Sequence, residues 1–157
     1  MVIKDIKEFE KLMQVKADKI VNNVSEKVLF ELQQHLLKTI YSKEEGWYKR
    51  YKDNGGFYDG WELKELARVA NEITRTLWFN GNNLVESSED TVNSGYAHKS
   101  RWALAPILNE AGTNGKFSDF GGAFYPRTGG KYWDEFIAYL DNNIWNWFMD
   151  EIKRQGL

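Results

Sequence analysis

The sequence predicts an α+β fold in which a small antiparallel sheet packs against long N-terminal and C-terminal helices. Apolar residues recur at helical spacing in residues 1–42 and again in residues 132–154. Between these segments, residues 57–90 combine turn formers with β-branched and aromatic residues, a composition typical of short strands. The length of 157 residues fits a single domain that encloses its own core.

Residues 1–42 are predicted to form an amphipathic helical region with an interruption near residues 14–16. Charged side chains such as Lys19 and Glu26 fall on other faces of this helix, so one face is expected to be buried. The apolar positions that define the buried face are Ile3, Ile6, Phe9, Met13, Ile20, Val24, Val28, Leu32, Leu36 and Ile40.

Residues 57–90 form the predicted strand region, which follows a loop or sheet entry over residues 44–60. Residues 61–79 allow two interpretations, because their leucines fit a helical stripe whereas the run ITRTLWF is rich in strand formers. We favour two strands that turn near Ala70 to Glu72. The Asn-Gly-Asn-Asn run at 80–83 offers a further hairpin turn.

The last third of the chain is predicted to contain a short helix, a long loop and a long helix. The short helix is predicted within residues 101–111, on the condition that Pro106 lies in its first turn. The loop over residues 112–131 is rich in glycine and aromatic residues. The final helix covers residues 132–154, and Gly156 suits its end. Its buried stripe is expected to be Phe136, Leu140, Ile144, Trp147 or Phe148, and Ile152.

The overall charge argues against a general role on nucleic acids or membrane surfaces. Lys and Arg number 21 against 23 Asp and Glu, a formal net charge of -2, so there is no net positive field to attract phosphates. No cysteine occurs, which excludes disulfides and thiolate chemistry and is compatible with a reducing cytoplasm. No segment approaches the roughly 20 apolar residues of a membrane span, and the charged N-terminus lacks the pattern of a secretory signal.

Few residues are arranged for catalysis or metal binding. The two histidines, His35 and His98, belong to no metal-ligand pattern, and packing or solvation accounts for both. Asp59 and Asp134 lie near tryptophans, but a glycosidase needs two carboxylates at a set distance across a sugar. The glycine pairs lack the spacing of a phosphate-binding loop. The sequence therefore predicts no enzyme activity, no cofactor and no metal.

Aromatic residues are more numerous than a core of this size requires, with seven Trp, eight Tyr and nine Phe. Large rigid aromatics are typical of protein interfaces, and sugar binding uses them as well. We favour contacts with other proteins and keep a carbohydrate or cell-wall binding module as the alternative. The predicted assembly-contact residues are Trp47, Tyr48, Tyr51, Phe117, Phe120, Phe124, Tyr125 and Arg127.

The order of the segments along the chain carries a family resemblance. An amphipathic N-terminal region is followed by YKRYKDNGGFYDGW, a strand region, HKS with LAPILNE, a glycine-rich loop with YPR, and YWDEF leading into the last helix. This order resembles the neck or tail-completion (head-tail joining) proteins of tailed bacteriophages and related prophage elements. The chain departs from the family's ending by a spacer, residues 128–131, between Arg127 and the aromatic-Asp block that begins at Tyr132.

The resemblance implies a structural virion protein without catalytic residues. Such proteins complete the head-proximal end of a phage tail and help to join it to the head as an oligomeric ring, typically of six copies. The implied partners are further copies of the chain and neighbouring neck and tail proteins, with passing contact to DNA in the lumen and none to membrane. The protein would be made in the host bacterial cytoplasm and end in the virion. On this hypothesis the loop over residues 111–131 reaches a neighbouring subunit or a neighbouring ring.

Overall fold

A computed structural model describes residues 5–42, 58–70, 72–80, 112–113, 127–128 and 131–157. The chain has an α+β fold, as the sequence predicts. In sequence order, short antiparallel strands lie between two long helices. The elements in order are helix α1 (Ile6–Leu36), a π-helical turn (Leu37–Tyr41), strands β1 (Trp61–Leu63), β2 (Ala67–Val69), β3 (Glu72–Thr74), β4 (Leu77–Phe79), β5 (Gly112–Thr113) and β6 (Arg127–Thr128), and helix α2 (Tyr132–Arg154).

Helix α1 begins at an N-cap and runs without interruption to its π-helical end. The Asp5 side chain accepts a hydrogen bond of 2.8 Å from the Glu8 backbone N–H, which satisfies a free donor of the first turn. The prediction of an interruption near residues 14–16 was wrong, because the helix is continuous there. The segment contains neither Gly nor Pro, so no residue removes a backbone hydrogen bond.

Residues 61–79 form a hairpin rather than a helix. Strand β1 pairs antiparallel with β4, and β2 pairs with β3 in the register Val69 to Glu72, which leaves two residues for the turn. The turn therefore lies where the strand interpretation put it. Ala70 adopts a positive φ of 52° there, a conformation that two-residue hairpin turns require and that alanine disfavours.

The ends of the predicted loop over residues 112–131 are paired with each other. Gly112–Thr113 and Arg127–Thr128 form a short antiparallel ladder, so these four residues are strand rather than loop. The prediction missed the ladder because two-residue strands carry no periodic signal. The predicted helix over residues 101–111 lies outside the described residues. The predicted turn after Asn80 lies outside them as well.

The two helices pack antiparallel along one apolar seam that contains two clusters. Around the middle of α1, Ile20 and Val24 pack with Trp147, and Trp147 rather than Phe148 is the buried member of that predicted pair. Near its end, α1 contributes two residues to the second cluster. Those buried residues are Leu32, Leu36, Trp61, Tyr132 and Phe136. Val28 and Leu140 border both clusters and connect them.

The hairpin lies along a second face of α1. Trp61 anchors its base in the core, stacking on Trp133 with ring centroids 5.4 Å apart. Farther along, Arg68 pairs with Asp18, and Arg75 donates to the side chain of Asn22. Because these contacts run from the end of α1 toward its start, the hairpin turn points toward the N-terminal part of the helix.

Helix α2 covers the range that the sequence predicts and ends in a Schellman motif. Gly156 has a φ of 71°, the Leu157 N–H donates to the Ile152 carbonyl at 3.2 Å, and the Gly156 N–H donates to that of Lys153 at 3.0 Å. The glycine supplies the left-handed residue that this motif needs. Within the described residues, neither helix has the length and apolarity to span a membrane.

Candidate assembly surface

The structure describes little of the predicted assembly-contact set. The backbone of Arg127 lies in β6, opposite Thr113. The other members stay predictions, because they lie outside the described residues: Trp47, Tyr48, Tyr51, Phe117, Phe120, Phe124 and Tyr125. The surfaces described below therefore consist of residues that were not predicted as assembly contacts.

Polar contacts fix the end of α2 against a defined part of α1. Lys16 Nζ donates to the Gln155 carbonyl oxygen at 2.6 Å, and Asn23 Nδ2 donates to Glu151 Oε1 at 2.8 Å. In an antiparallel pair, the residues of α1 that precede Lys16 must then lie beyond the C-terminal end of α2. The register of the helix pair thus determines how much of α1 has no opposing helix.

Glu151 is the buried charged group in this polar cluster, and only 4% of it is exposed. Burial raises the pKa of its carboxyl, but hydrogen bonds from Gln155 and Asn23 lower it. The positive charges of Arg154 and Lys19 lower it further, and the net pKa lies below its ordinary value of 4.5. Glu151 therefore stays ionised near neutral pH and holds α2 to α1 through charge-assisted hydrogen bonds.

A second set of polar contacts closes the middle of the seam. Tyr139 Oη donates to Glu31 Oε2 at 3.2 Å, and Lys27 Nζ lies 4.7 Å from the centre of the Trp147 ring. Burial raises the pKa of the Tyr139 hydroxyl, and the charge of Glu31 raises it further. These contacts border the buried Trp147 and leave the opposite side of α2 free of them.

In residues 6–15 of α1, named here the overhang, Ile6, Phe9 and Val15 are exposed and Leu12 and Met13 are half-buried. Ile6, Met13 and Ile20 are seven residues apart and share one face of the helix, to within about 20° per step. Ile20 is buried against α2, yet Ile6 is 73% exposed and Phe9 is 45% exposed. The overhang therefore continues the face that packs against α2 over about 15 Å of helix.

The exposure of Ile6 and Phe9 corrects the predicted buried stripe. Both residues have the periodicity of the core face, and periodicity identifies a face whether or not another helix covers it. Coverage stops where α2 ends at Arg154, beside Lys16. The Ile3 side chain lies outside the described residues, and that of Ile40 is likewise not described.

The outer face of α2, defined by Ala138, Asp141, Trp145 and Met149, is a second surface that carries an exposed apolar side chain. Trp145 is 69% exposed, whereas Trp147 is 9% exposed. Two residues correspond to about 200° around a helix, so these tryptophans lie on opposite sides of α2. The sequence contained this signal, since Trp145 falls outside the predicted stripe by helical geometry.

The two surfaces differ in charge. Exposed acidic residues dominate α2, which has no Lys or Arg before Lys153; they are Asp134, Glu135, Asp141 and Asp150. The overhang is balanced, with Lys7 and Lys11 against Glu8 and Glu10. The outer face of α2 is thus an apolar spot in a negative field, and the overhang is an apolar stripe without net charge.

The other candidate groups lie apart from these surfaces. His35 Nε2 is 3.7 Å from Glu135 Oε2, and its ring lies beside Phe136. Trp61, near the candidate carboxylate Asp59, is buried in the core. Among the described residues, no group of three or more His, Asp or Glu side chains is close enough to hold a metal ion. His98 lies outside the described ranges.

Comparisons of the chain with protein-family models, with curated proteins and with solved structures found no match. The geometry of the helix pair and the order of segments in the sequence therefore carry the functional argument. Among the described residues, the overhang and the outer face of α2 both lie outside the α1–α2 seam.

Proposed function

We propose that this chain is a structural protein of a tailed bacteriophage or a related prophage particle. It completes the head-proximal end of the tail and helps to join the tail to the head as an oligomeric ring. Its partners are further copies of itself and neighbouring neck and tail proteins. It is made in the bacterial cytoplasm and ends in the virion.

One observation supports assembly most strongly, namely the apolar side chains exposed on two different elements. Phe9 extends a core-type stripe beyond the helix that would cover it, and Trp145 faces away from the core. Burying a side chain of this size releases roughly 1.5–3 kcal/mol relative to leaving it in water. Aromatic side chains in such positions are typical anchors of protein interfaces. The phage assignment itself is supported by the order of sequence segments.

The test of this function is electron microscopy of particles from a bacterium in which the gene has been disrupted. We expect filled heads and unjoined or aberrant tails, counted separately from joined particles. Complementation with the wild-type gene should restore joined particles. Normal joining after disruption would contradict the neck assignment.

A complementation series links the particle phenotype to the exposed surfaces. The Trp145→Glu gene should fail to restore joining, because it places a charge on the outer face of α2. The Val69→Glu gene is the matched control, since Val69 is 72% exposed at the hairpin turn and lies on neither surface. Restoration by both variants would remove the outer face of α2 from the proposal.

A second candidate function is carbohydrate or cell-wall binding, and exposed Trp145 is the observation that favours it. Trp61 and Trp147 are buried, so neither of these two rings can form a flat sugar-binding surface together with Trp145. Titration with cell-wall polysaccharide, followed by tryptophan fluorescence, tests this function. Saturable binding that the Trp145→Glu variant loses would support it over assembly.

A further inference from the structure

We infer that the overhang of one copy packs on the outer face of α2 of a second copy, in a head-to-tail contact centred on Phe9 and Trp145. The inference rests on the proposed function, because it names the self-contact by which the ring would assemble. It requires each copy to carry both halves of the interface, which is the arrangement that closes into rings by rotation.

The packing inside one chain provides the model for this contact. Within the helix pair, Ile20 and Val24 of α1 pack against Trp147 of α2. The overhang repeats the same face of α1 one and two heptads earlier, with Met13 and Ile6 in the positions equivalent to Ile20. Trp145 of a second copy offers the same kind of ring to it. The overhang thus extends an interface that the fold already uses.

Charge favours this pairing over the pairing of two α2 faces. Two copies joined through their outer faces would bring Asp141 and its acidic neighbours of each copy together, and like charges at close range are unfavourable. The overhang has equal numbers of acidic and basic side chains and brings no such repulsion. Pairing of two overhangs would avoid repulsion too, but it would leave Trp145 uncovered.

The size of the contact explains why it would act in a ring. A helix face of about 15 Å buries less than the roughly 1,200–2,000 Å² of a standard stable interface. A single contact is therefore weak. In a closed ring each copy makes two such contacts. The closed ring is therefore much more stable than a dimer held by one contact.

Sedimentation velocity over a wide concentration range tests the contact with the full chain. The variants are Phe9→Glu and Trp145→Glu, with Val69→Glu as the control for adding a charge at an exposed apolar site. Glutamate is a good helix former, so both helices should persist, which circular dichroism checks. We expect self-association of the wild type and the control, and at least a tenfold larger dissociation constant for either interface variant.

Mixing the two interface variants distinguishes a head-to-tail contact from a symmetric one. Phe9→Glu retains an intact α2 face and Trp145→Glu retains an intact overhang, so a mixture should form a 1:1 dimer and nothing larger. A mixture that stays monomeric in sedimentation and also gives no heterodimer in the trapping experiment below overturns the inference. So does a Trp145→Glu variant that associates like the wild type, since the overhangs would then pair with each other.

Disulfide trapping covers the case in which the contact is too weak to sediment as an oligomer. The chain contains no cysteine, so introduced thiols report only on their own proximity. Oxidation of Phe9→Cys mixed with Trp145→Cys should give a heterodimer, and Phe9→Cys mixed with Val69→Cys should give at least tenfold less. Equal yields from both mixtures overturn the contact. If the gene disruption still leaves heads and tails unjoined, the proposed function survives that failure.

Discussion

Glu151 shows how a single residue sets the register of the helix pair. Its carboxylate accepts hydrogen bonds from Asn23, Gln155 and Arg154 at 2.7–2.8 Å, so it joins α1 to the last turn of α2. A buried charge is stable only with such partners, because an uncompensated charge away from water is strongly unfavourable. The position of the overhang depends on this cluster, since it fixes where α2 ends along α1.

The Glu151→Gln variant tests that role through the pH dependence of unfolding. The folded-state pKa of Glu151 lies below its ordinary value of 4.5, so the unfolded chain binds more protons between the two pKa values. The stabilisation is complete above the ordinary value and is lost as pH falls through the folded value. In urea unfolding we expect the variant to be less stable by about 1–3 kcal/mol at pH 7.

As pH falls through the folded-state pKa of Glu151, the difference between wild type and Glu151→Gln should shrink, because the wild-type carboxyl loses its charge. Asp150→Asn is a suitable control, since Asp150 is the exposed neighbour on the same helix. An undiminished difference at low pH would contradict a charge-dependent role and indicate packing alone.

Ala70 occupies a backbone conformation that its side chain disfavours. Its φ of 52° lies in the left-handed region, which costs an L-residue about 1–2 kcal/mol and costs glycine nothing. Ala70→Gly should therefore raise the free energy of unfolding by about 0.5–1 kcal/mol after the greater entropy of unfolded glycine is subtracted. Thermal unfolding measures the gain. Ala67→Gly in β2 is the matched control and should lower stability instead.

At the scale of the elements, α1 is longer than the helix that covers it. The core needs α1 only from Lys16 onward, where it meets the end of α2. Deletion of residues 1–14 should lower the free energy of unfolding by only about 1 kcal/mol, because Ile6 and Phe9 are exposed and Leu12 and Met13 are only half-buried. The same deletion should abolish self-association in sedimentation.

The matched comparison for this deletion is Leu32→Ala in the covered part of α1. Leu32 is fully buried, and truncating such a leucine typically costs about 2–5 kcal/mol. Chemical denaturation ranks the two variants. A deletion as damaging as Leu32→Ala would mean that the overhang belongs to the folding core and not to an assembly contact.

For the whole molecule, the two apolar clusters should behave as one cooperative unit. Val28 and Leu140 pack against both, so neither cluster can open without exposing the other. We expect Ile20→Ala to lower the midpoint of thermal unfolding equally by far-ultraviolet circular dichroism and by tryptophan fluorescence, measured at low concentration. Two separated transitions would show that the ends of the helix pair unfold independently.

Much of this arrangement could be predicted because it depends on local pattern. The i, i+4 spacing through Ile20, Val24 and Leu32 identified the buried face of α1, and strand formers around Ile73 identified the hairpin. Glycine at position 156 marked the end of α2. The short β5–β6 ladder could not be found this way, since its two strands are distant in sequence and two residues long.

The sequence by itself determined the element types, the apolar faces of both helices and the balance of charge. Only the tertiary structure decided which parts of those faces are covered. Ile6 and Ile20 have the same helical phase and similar chemistry, yet one is exposed and the other is buried, because α2 ends between them. The end of the opposing helix, marked by the left-handed Gly156 and held beside Lys16, divides one continuous stripe into a core and a candidate interface.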